Sequence, residues 1–177
     1  ESNQGVACQS SGNHGGAIAC AADLKGVHAD IVMATSVSKA KIHNVRTYNG
    51  NMIFCDHMSE RDALFAKTVE DNNRISIHPY DSYSVMAGQG TIGLEIVDQV
   101  PEFDSVVVPI GGGGLISGIS IALKGLNHSA KIIGCEPTSV DDTHQMYTAN
   151  KRIEMDHRES VADGLMAIVG HLTLPII

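Results

Sequence analysis

Short apolar runs alternate along the chain with longer segments in which apolar residues recur every three or four positions. The short runs are rich in Val and Ile, which is typical of buried strands, and the longer segments are typical of helices. The predicted strands cover residues 6–8, 29–34, 52–55, 75–77, 106–108 and 131–135. The predicted helices cover residues 17–24, 36–48, 59–71, 92–100, 115–125 and 143–150. Because strands and helices alternate, the sequence predicts an α/β fold with open parallel sheets and flanking helices.

Turn and capping residues set the ends of several predicted helices. Gly26 is expected to end the first helix in a left-handed conformation. Ser36 or Ser38 is expected at the N-cap of the second helix. Ser59, with Asp62 three residues later, resembles a capping box that opens the third helix.

Four consecutive glycines separate a predicted strand from a predicted helix. This glycine loop consists of Gly111, Gly112, Gly113 and Gly114. Without Cβ atoms its backbone can turn sharply and direct N–H groups at an anion, which the helix dipole also attracts. Four glycines lose much chain entropy on folding, so a phosphate site explains them better than a plain turn does. A flexible glycine loop without a ligand is the alternative.

The spacing around the glycine loop does not match two common phosphate motifs. Gly113 and Gly118 have the spacing of a P-loop, but Ile119 stands where a P-loop has Lys. Gly111 and Gly113 begin a dinucleotide-binding pattern, but Ile116 stands where its third Gly belongs. A compact phosphomonoester bound by the backbone alone agrees better with this loop, and a nucleotide-binding module is kept as an alternative.

Composition narrows the class of partner and the cellular location. The net charge of −8 and the pI near 5.5 disfavour nucleic acid, because no cluster of Lys and Arg is present to contact its phosphates. No apolar run has the length of a membrane span and no signal peptide is visible, so we expect a cytoplasmic protein without membrane association. The cysteines lack C-x-x-C spacing, which is typical of reduced thiols. They are Cys8, Cys20, Cys55 and Cys135.

Residues 10–15, Ser-Ser-Gly-Asn-His-Gly, lie between a predicted strand and a predicted helix, as the glycine loop does. Two hydroxyls, an amide and the N–H groups of a helix start are suited to binding a carboxylate. Ordinary capping of the first helical turn by Ser11 or Asn13 explains the segment equally well. His14 by itself is interpreted as a hydrogen-bonded structural histidine rather than as a general base.

The acidic turn at residues 136–142, Glu-Pro-Thr-Ser-Val-Asp-Asp, is a second candidate site. The side chains of Glu136 and Asp142 can converge across the turn with the carbonyl oxygen of Val140. Ligands that are all oxygens favour Mg²⁺ or Ca²⁺. The alternative is that Asp141 or Asp142 caps the following helix.

Five segments occur in the order found in fold-type II pyridoxal-phosphate enzymes, and the chain resembles the serine racemase and threonine dehydratase group of that family. They are residues 10–15, 87–91 (Ala-Gly-Gln-Gly-Thr), 109–115 (Pro-Ile-Gly-Gly-Gly-Gly-Leu), 136–137 (Glu-Pro) and 162–164 (Ala-Asp-Gly). The resemblance implies a tryptophan synthase β-like fold, incomplete in this chain. It implies a small mobile α/β domain at residues 1–80 and part of the large cofactor-binding domain at residues 81–177.

The resemblance also implies roles for individual residues. The glycine loop would hold the phosphate of pyridoxal phosphate, and Asn13 would bond the ring hydroxyl. Ser10, Asn13 and His14 would bind the substrate carboxylate, and Ser11 would be the acid/base on the face opposite the cofactor lysine. Serine racemases carry a divalent cation at the acidic turn, and ATP is a candidate effector. The implied cation ligands are Glu136, Val140 and Asp142.

Parts of the family pattern are not found in this sequence. The cofactor lysine belongs to a Lys-x-Arg-Gly-like motif upstream of residues 10–15, and none of the lysines here lies in such a motif. The chain begins with Glu1 rather than Met, and Tyr80 stands where animal racemases have asparagine. We therefore expect a fragment that is inactive by itself. The resemblance implies a homodimer when the protein is full length.

The expected activity is pyridoxal-phosphate-dependent serine racemisation, serine/threonine dehydration, or both. The acidic turn favours the racemase, because many threonine dehydratases differ there. The alternative from another class is a non-catalytic family fragment or paralogue that acts as a phosphate-binding or dimerisation module.

Overall fold

The computed structural model describes residues 4–10, 12–154 and 159–177, with the backbone alone at Met58. The chain divides into two compact units, Glu1–Pro79 and Tyr80–Ile177. Both contain parallel strands connected by helices, which confirms the predicted α/β class. The assignment of the first unit as a mobile domain stays a prediction. Within the described residues, no helix is long and apolar enough to cross a bilayer.

Over residues 4–10 and 12–79, the amino-terminal unit contains one parallel sheet and three α-helices. Its elements are β1 (Val6–Gln9), α1 (Asn13–Lys25), β2 (Ala29–Ala34), α2 (Lys39–Thr47), β3 (Asn51–Cys55), α3 (Arg61–Asp71) and β4 (Ile75–Ser76). The strand order is β3-β2-β1-β4, and all three strand pairs are parallel. Every residue of β2 is buried, as expected for an interior strand of a parallel sheet. Its Ile31 and Met33 form the centre of an apolar core with Cys8, Ala19 and Val45.

Asp30 is a buried carboxylate near the amino end of β2, an interior strand of this sheet. The parallel register places Asn51 opposite it, and the Asn51 amide donates to Asp30 Oδ1 at 2.7 Å. Asn72, at the end of α3, donates to Asp30 Oδ2 at 3.1 Å, and Arg74 Nε donates to the same oxygen at 2.6 Å. The carboxylate therefore joins β2, β3 and the turn before β4 through charge-assisted hydrogen bonds.

In its described part, residues 80–154 and 159–177, the carboxy-terminal unit contains a two-stranded parallel sheet and three α-helices. Its elements are α4 (Tyr83–Gln99), β5 (Ser105–Pro109), α5 (Gly114–Gly125), β6 (Lys131–Cys135) and α6 (Asp142–Ala149). A short 3₁₀ turn follows at Asp163–Leu165. Val108 and Ile110 form an apolar core with Ile116, Ile119 and Leu123 of α5.

Helix α4 begins at Tyr83, so the predicted start at residue 92 is wrong. Gly90 and Gly93 lie on the face of α4 that packs against α5. A Cβ at Gly90 would lie 3.1 Å from the Gly118 oxygen, and one at Gly93 would lie 2.8 Å from Ala122 Cβ. A Cβ at Gly118 would in turn lie 2.6 Å from Gly90 N. The glycines therefore permit two helix backbones to touch, and this packing outweighs their low helix propensity.

Two helix starts in the amino-terminal unit also differ from the prediction. Helix α1 begins at Asn13 rather than at residue 17. Gly15 and Gly16 are therefore helical, and both are buried. Helix α3 begins at Arg61 after a 3₁₀ turn, so the capping box that opens at Ser59 is wrong. The left-handed cap at Gly26 is confirmed by its φ of 65°, and Ser38 is the N-cap of α2.

Candidate active site

Residues 10–15 connect the end of β1 to the first turn of α1. The Ser10 N–H donates to Val32 O at 3.2 Å, which fixes the segment at the carboxyl end of the sheet. Ser10 Oγ accepts the Gly12 N–H at 3.2 Å, and Gly12 is the N-cap of α1. Asn13 is therefore the first helical residue, and it is exposed. The predicted acid/base Ser11 lies outside the described residues.

His14 has a structural hydrogen-bond partner inside the amino-terminal unit. Its Nε2 lies 3.3 Å from the carbonyl oxygen of Ile77, and because a carbonyl only accepts, Nε2 carries the proton. Burial lowers the pKa of His14, and the bond to Ile77 opposes that shift only in part. The neutral form therefore predominates at pH 7, where the imidazole donates one hydrogen bond and retains Nδ1 as an acceptor.

The glycine loop leaves the carboxyl end of β5 and enters α5 directly. Gly113 is the N-cap of α5 with a φ of 88°, a left-handed conformation that L side chains rarely adopt. Helix α5 begins at Gly114, and the first N–H groups of any helix lack intrahelical acceptors. The loop thus presents backbone donors at the positive end of a helix dipole, which is an arrangement suited to a phosphate.

Close packing leaves no space for side chains in the glycine loop. A Cβ at Gly112 would overlap the ring of Tyr80, and one at Gly113 would lie 2.8 Å from Thr173 Oγ1. A Cβ at Gly111 would lie 3.1 Å from the carbonyl oxygen of Gly164. These contacts contradict a loosely held glycine turn, because three separate parts of the carboxy-terminal unit pack against the loop.

A cavity of about 550 Å³ in the same unit lies away from the glycine loop. Ile110 and apolar residues of α5 and β6 line it, together with Lys124, His144 and Tyr147. No residue of the glycine loop lines this cavity. The predicted phosphate site therefore depends on the loop and the helix start, not on this cavity.

The acidic turn is held to helix α6 by Glu136. Its two carboxylate oxygens accept the N–H groups of Thr143 at 3.0 Å and His144 at 2.8 Å. Asp141 is the N-cap residue of α6, as the alternative predicted, but its side chain makes no capping hydrogen bond and accepts from the Gln145 side chain at 2.7 Å. Glu136 takes that capping role across seven residues of sequence.

Asp142, the other predicted carboxylate ligand, is buried and accepts the Val169 N–H through Oδ2 at 2.8 Å. Across residues 4–10, 12–154 and 159–177, no three His, Cys, Asp or Glu side chains form a group able to hold a metal ion. The predicted site has only two such side chains and the Val140 carbonyl, and each carboxylate retains lone pairs beyond its backbone bonds. The cation site stays a prediction.

Comparison with known proteins identifies the protein family to which the chain belongs. The family model for pyridoxal-phosphate dependent enzymes matches residues 1–177, so the chain belongs to that family. A serine racemase of Oryza sativa subsp. indica is 40% identical over 178 residues, covering 100% of this chain and 52% of that protein.

Solved structures agree with the sequence matches. The structure of maize serine racemase has a TM-score of 0.94 at 41% identity and covers 98% of this chain and 53% of its own. The processed form of threonine deaminase isoform 2 from Solanum lycopersicum has a TM-score of 0.90 at 31% identity, covering 98% and 51%. The resemblance to the serine racemase and threonine dehydratase group is confirmed, and the chain spans about half the length of these relatives.

Two residues at the glycine loop were missed by the sequence analysis. Thr173 Oγ1 donates to the Gly112 carbonyl oxygen at 2.7 Å, and Asp81 accepts three N–H groups from residues 171–173. Both contacts join positions more than 60 residues apart along the chain. Local spacing carries no signal for such long-range pairs.

Proposed function

We propose that the full-length protein is a pyridoxal-phosphate-dependent enzyme that racemises serine, dehydrates serine or threonine to a keto acid and ammonia, or does both. The observation that carries the proposal is the glycine loop at the carboxyl end of β5, which runs directly into the N-terminus of α5. Membership of the pyridoxal-phosphate family supplies the identity of the phosphate ligand. The names of the serine racemase and threonine deaminase relatives supply the substrate class, a hydroxy amino acid.

In this proposal the chain's own residues bind the cofactor and orient the substrate. Backbone N–H groups of the glycine loop hold the phosphate, and Asn13 bonds the ring hydroxyl. Ser10, Asn13 and His14 orient the substrate carboxylate, with His14 neutral because it is buried. Pyridoxal phosphate supplies an electron sink that makes the Cα proton of an amino acid acidic.

The reaction outcome depends on the fate of one proton. The cofactor lysine of the family pattern would remove the Cα proton from one face, and Ser11 would deliver a proton to Cα from the other face, which gives racemisation. Loss of the β-hydroxyl before that delivery gives dehydration. We further propose a cytoplasmic homodimer with ATP as an effector, on the resemblance alone.

The test uses the full-length gene product with pyridoxal phosphate and L-serine. Formation of D-serine or of pyruvate with ammonia is the expected result, and the ratio of the two rates identifies the main reaction. Ser11→Ala is expected to lower D-serine formation at least about 100-fold, the usual contribution of a general acid/base. The same variant is expected to retain pyruvate formation. Chiral chromatography and a coupled pyruvate assay give the two rates.

The alternatives give different results in the same experiment. A phosphate-binding or dimerisation module binds the cofactor but turns over neither serine nor threonine. A nucleotide-binding module binds a dinucleotide and not pyridoxal phosphate. Either result would contradict the proposed enzyme.

We also propose that Mg²⁺ or Ca²⁺ binds at the acidic turn through Glu136, the Val140 carbonyl and Asp142. A cation that binds only the folded protein raises its melting temperature by mass action. Saturating Ca²⁺ is expected to raise the melting temperature by about 5 °C, and EDTA is expected to reverse the change. Differential scanning calorimetry measures both.

Two variants separate binding at this turn from a general effect of calcium. Asp142→Asn is expected to abolish the calcium-dependent rise in melting temperature. Asp141→Asn is the matched control, because its carboxylate bonds the Gln145 side chain and is not one of the proposed ligands. An equal response to calcium in both variants would refute the site.

A further inference from the structure

The carbonyl oxygen of Gly112 is held by two donors from one short segment near the end of the chain. Thr173 Oγ1 donates to it at 2.7 Å, and the Gly170 N–H donates to it at 3.1 Å. The same Gly170 N–H also lies 2.9 Å from Thr173 Oγ1, so the three groups form one closed cluster. Thr173 is fully buried, so solvent does not replace its hydroxyl as a donor.

Asp81 fixes the segment that carries these donors. Its Oδ1 accepts the N–H groups of Leu172 at 2.8 Å and Thr173 at 3.3 Å, and its Oδ2 accepts that of His171 at 3.0 Å. Hydrogen bonds to an ionised carboxylate are stronger than neutral ones. A Cβ at Gly170 would overlap the Asp81 carboxylate, which shows how closely the two segments approach.

The orientation of the Gly112 carbonyl determines where the next N–H group points. In a planar trans peptide the C=O of Gly112 and the N–H of Gly113 point in opposite directions. Both residues of this peptide are glycines, so no Cβ restricts its orientation from within the loop, and Gly113 has a φ of 88°. The bonds from Thr173 and Gly170 therefore hold this peptide in the orientation that it has in the structure.

We propose that Thr173 is a positioning residue for phosphate binding, with Asp81 as its support. By holding the Gly112 carbonyl, the Thr173 hydroxyl directs the Gly113 N–H away from itself, toward the proposed phosphate. This inference rests on the proposed function, because it assigns Thr173 to the same phosphate site. It adds a buried hydroxyl that contacts the back of the loop and never the ligand.

The test compares pyridoxine 5′-phosphate with pyridoxine, which have no aldehyde to react with lysines and differ only in the phosphate. Isothermal titration calorimetry measures both affinities for the full chain and its variants. Thr173→Val keeps the shape and removes the hydroxyl. We expect it to weaken pyridoxine 5′-phosphate binding about fivefold to tenfold, the effect of one lost hydrogen bond, with pyridoxine affinity unchanged. The ³¹P chemical shift of the bound phosphate is expected to move as well.

Two further variants test the role of the hydroxyl. Thr173→Ser restores the donor and is expected to recover affinity to within about twofold. Thr68→Val is the matched control, because Thr68 is also buried and its hydroxyl donates to Leu64 O at 2.8 Å in the amino-terminal unit. It is expected to leave pyridoxine 5′-phosphate affinity and the ³¹P shift unchanged.

The possible results distinguish this inference from the proposed function. If the unaltered chain does not prefer pyridoxine 5′-phosphate over pyridoxine, the proposed phosphate site is wrong and the inference is wrong with it. If it does, and Thr173→Val binds equally well, only the positioning role is wrong. If circular dichroism shows that Thr173→Val does not fold, the Asp81→Asn variant tests the positioning role instead. It keeps one acceptor oxygen and is expected to weaken phosphate-dependent binding about threefold, whereas no change would overturn the inference.

Discussion

Arg74→Met is expected to destabilise the protein by about 3–5 kcal/mol, because it leaves the Asp30 carboxylate buried without its cationic partner. The Arg74 Nε donates to Asp30 Oδ2 at 2.6 Å, and the Asp30 side chain is only 2% exposed. Asn51 and Asn72 still donate to the carboxylate in the variant, but neither carries a charge. Urea denaturation followed by circular dichroism measures the change in the free energy of unfolding.

Lys67→Met is the matched control for this prediction. The Lys67–Asp71 pair has the same N–O distance of 2.6 Å, but its side chains are 70% and 54% exposed. Exposed ion pairs contribute little, because water solvates both partners when the pair is broken. We therefore expect no measurable change in the urea midpoint. Equal losses in Arg74→Met and Lys67→Met would show that burial of Asp30 is not the cause.

The pH dependence of stability gives an independent check on the same carboxylate. Burial acts to raise the pKa of Asp30, but the hydrogen bonds from Arg74, Asn51 and Asn72 outweigh it and hold the pKa below its ordinary value of 3.8. A lowered folded pKa gives stability that is present above the ordinary pKa and is lost as the pH falls through the folded pKa. Acidification below about pH 4 should therefore destabilise the wild type more than Arg74→Met.

Gly118→Ala is expected to destabilise the carboxy-terminal unit by about 3 kcal/mol, at the upper end of typical overpacking costs. The added methyl group would lie against the Met86 carbonyl oxygen and 2.6 Å from Gly90 N. Both are backbone atoms of α4, so no side chain can rotate to make space. Because α5 begins in the glycine loop, the same change should also weaken binding of pyridoxine 5′-phosphate.

Gly125→Ala, at the other end of α5, tests the same substitution without the contact. A Cβ at Gly125 meets nothing within 4 Å, and alanine has the higher helix propensity. We expect this variant to gain about 0.5–1 kcal/mol. Thermal unfolding of the two variants should therefore shift in opposite directions, and a loss of stability in both would contradict the packing argument.

The strands of the fold were predictable from the sequence because short runs rich in Val and Ile are typical of buried strands. The runs at 29–34 and 131–135 coincide with β2 and β6 to the residue. The alternation of strands with helices was enough to predict the parallel pairing, because parallel neighbours require crossover connections. Only β4 is shorter than predicted, at two residues.

The helix starts were less predictable, because tertiary contacts decided them. Glycines at 15, 16, 90 and 93 argue against a helix by propensity, yet all four lie inside helices where a neighbouring segment occupies the space of a side chain. A contact between separated residues also decides the capping of α6. Glu136 accepts its first N–H groups, although Asp141 is the residue at the N-cap position. A single sequence gives the helix propensity of each residue, but only the three-dimensional structure shows which atoms of distant segments are in contact.

The contact between α4 and α5 restricts how this protein can change during evolution. A larger residue at position 118 is tolerated only if α4 moves away, and that movement would open gaps at Gly90 and Gly93. No side-chain substitution removes the two nearest atoms opposite position 118, the Met86 carbonyl oxygen and Gly90 N, since both belong to the main chain. Sequence changes are therefore expected on the outer faces of the two helices, where Leu94 and Ile121 are about half exposed. At the contact between the helices, the positions of Gly90, Gly93 and Gly118 stay restricted to the smallest residues.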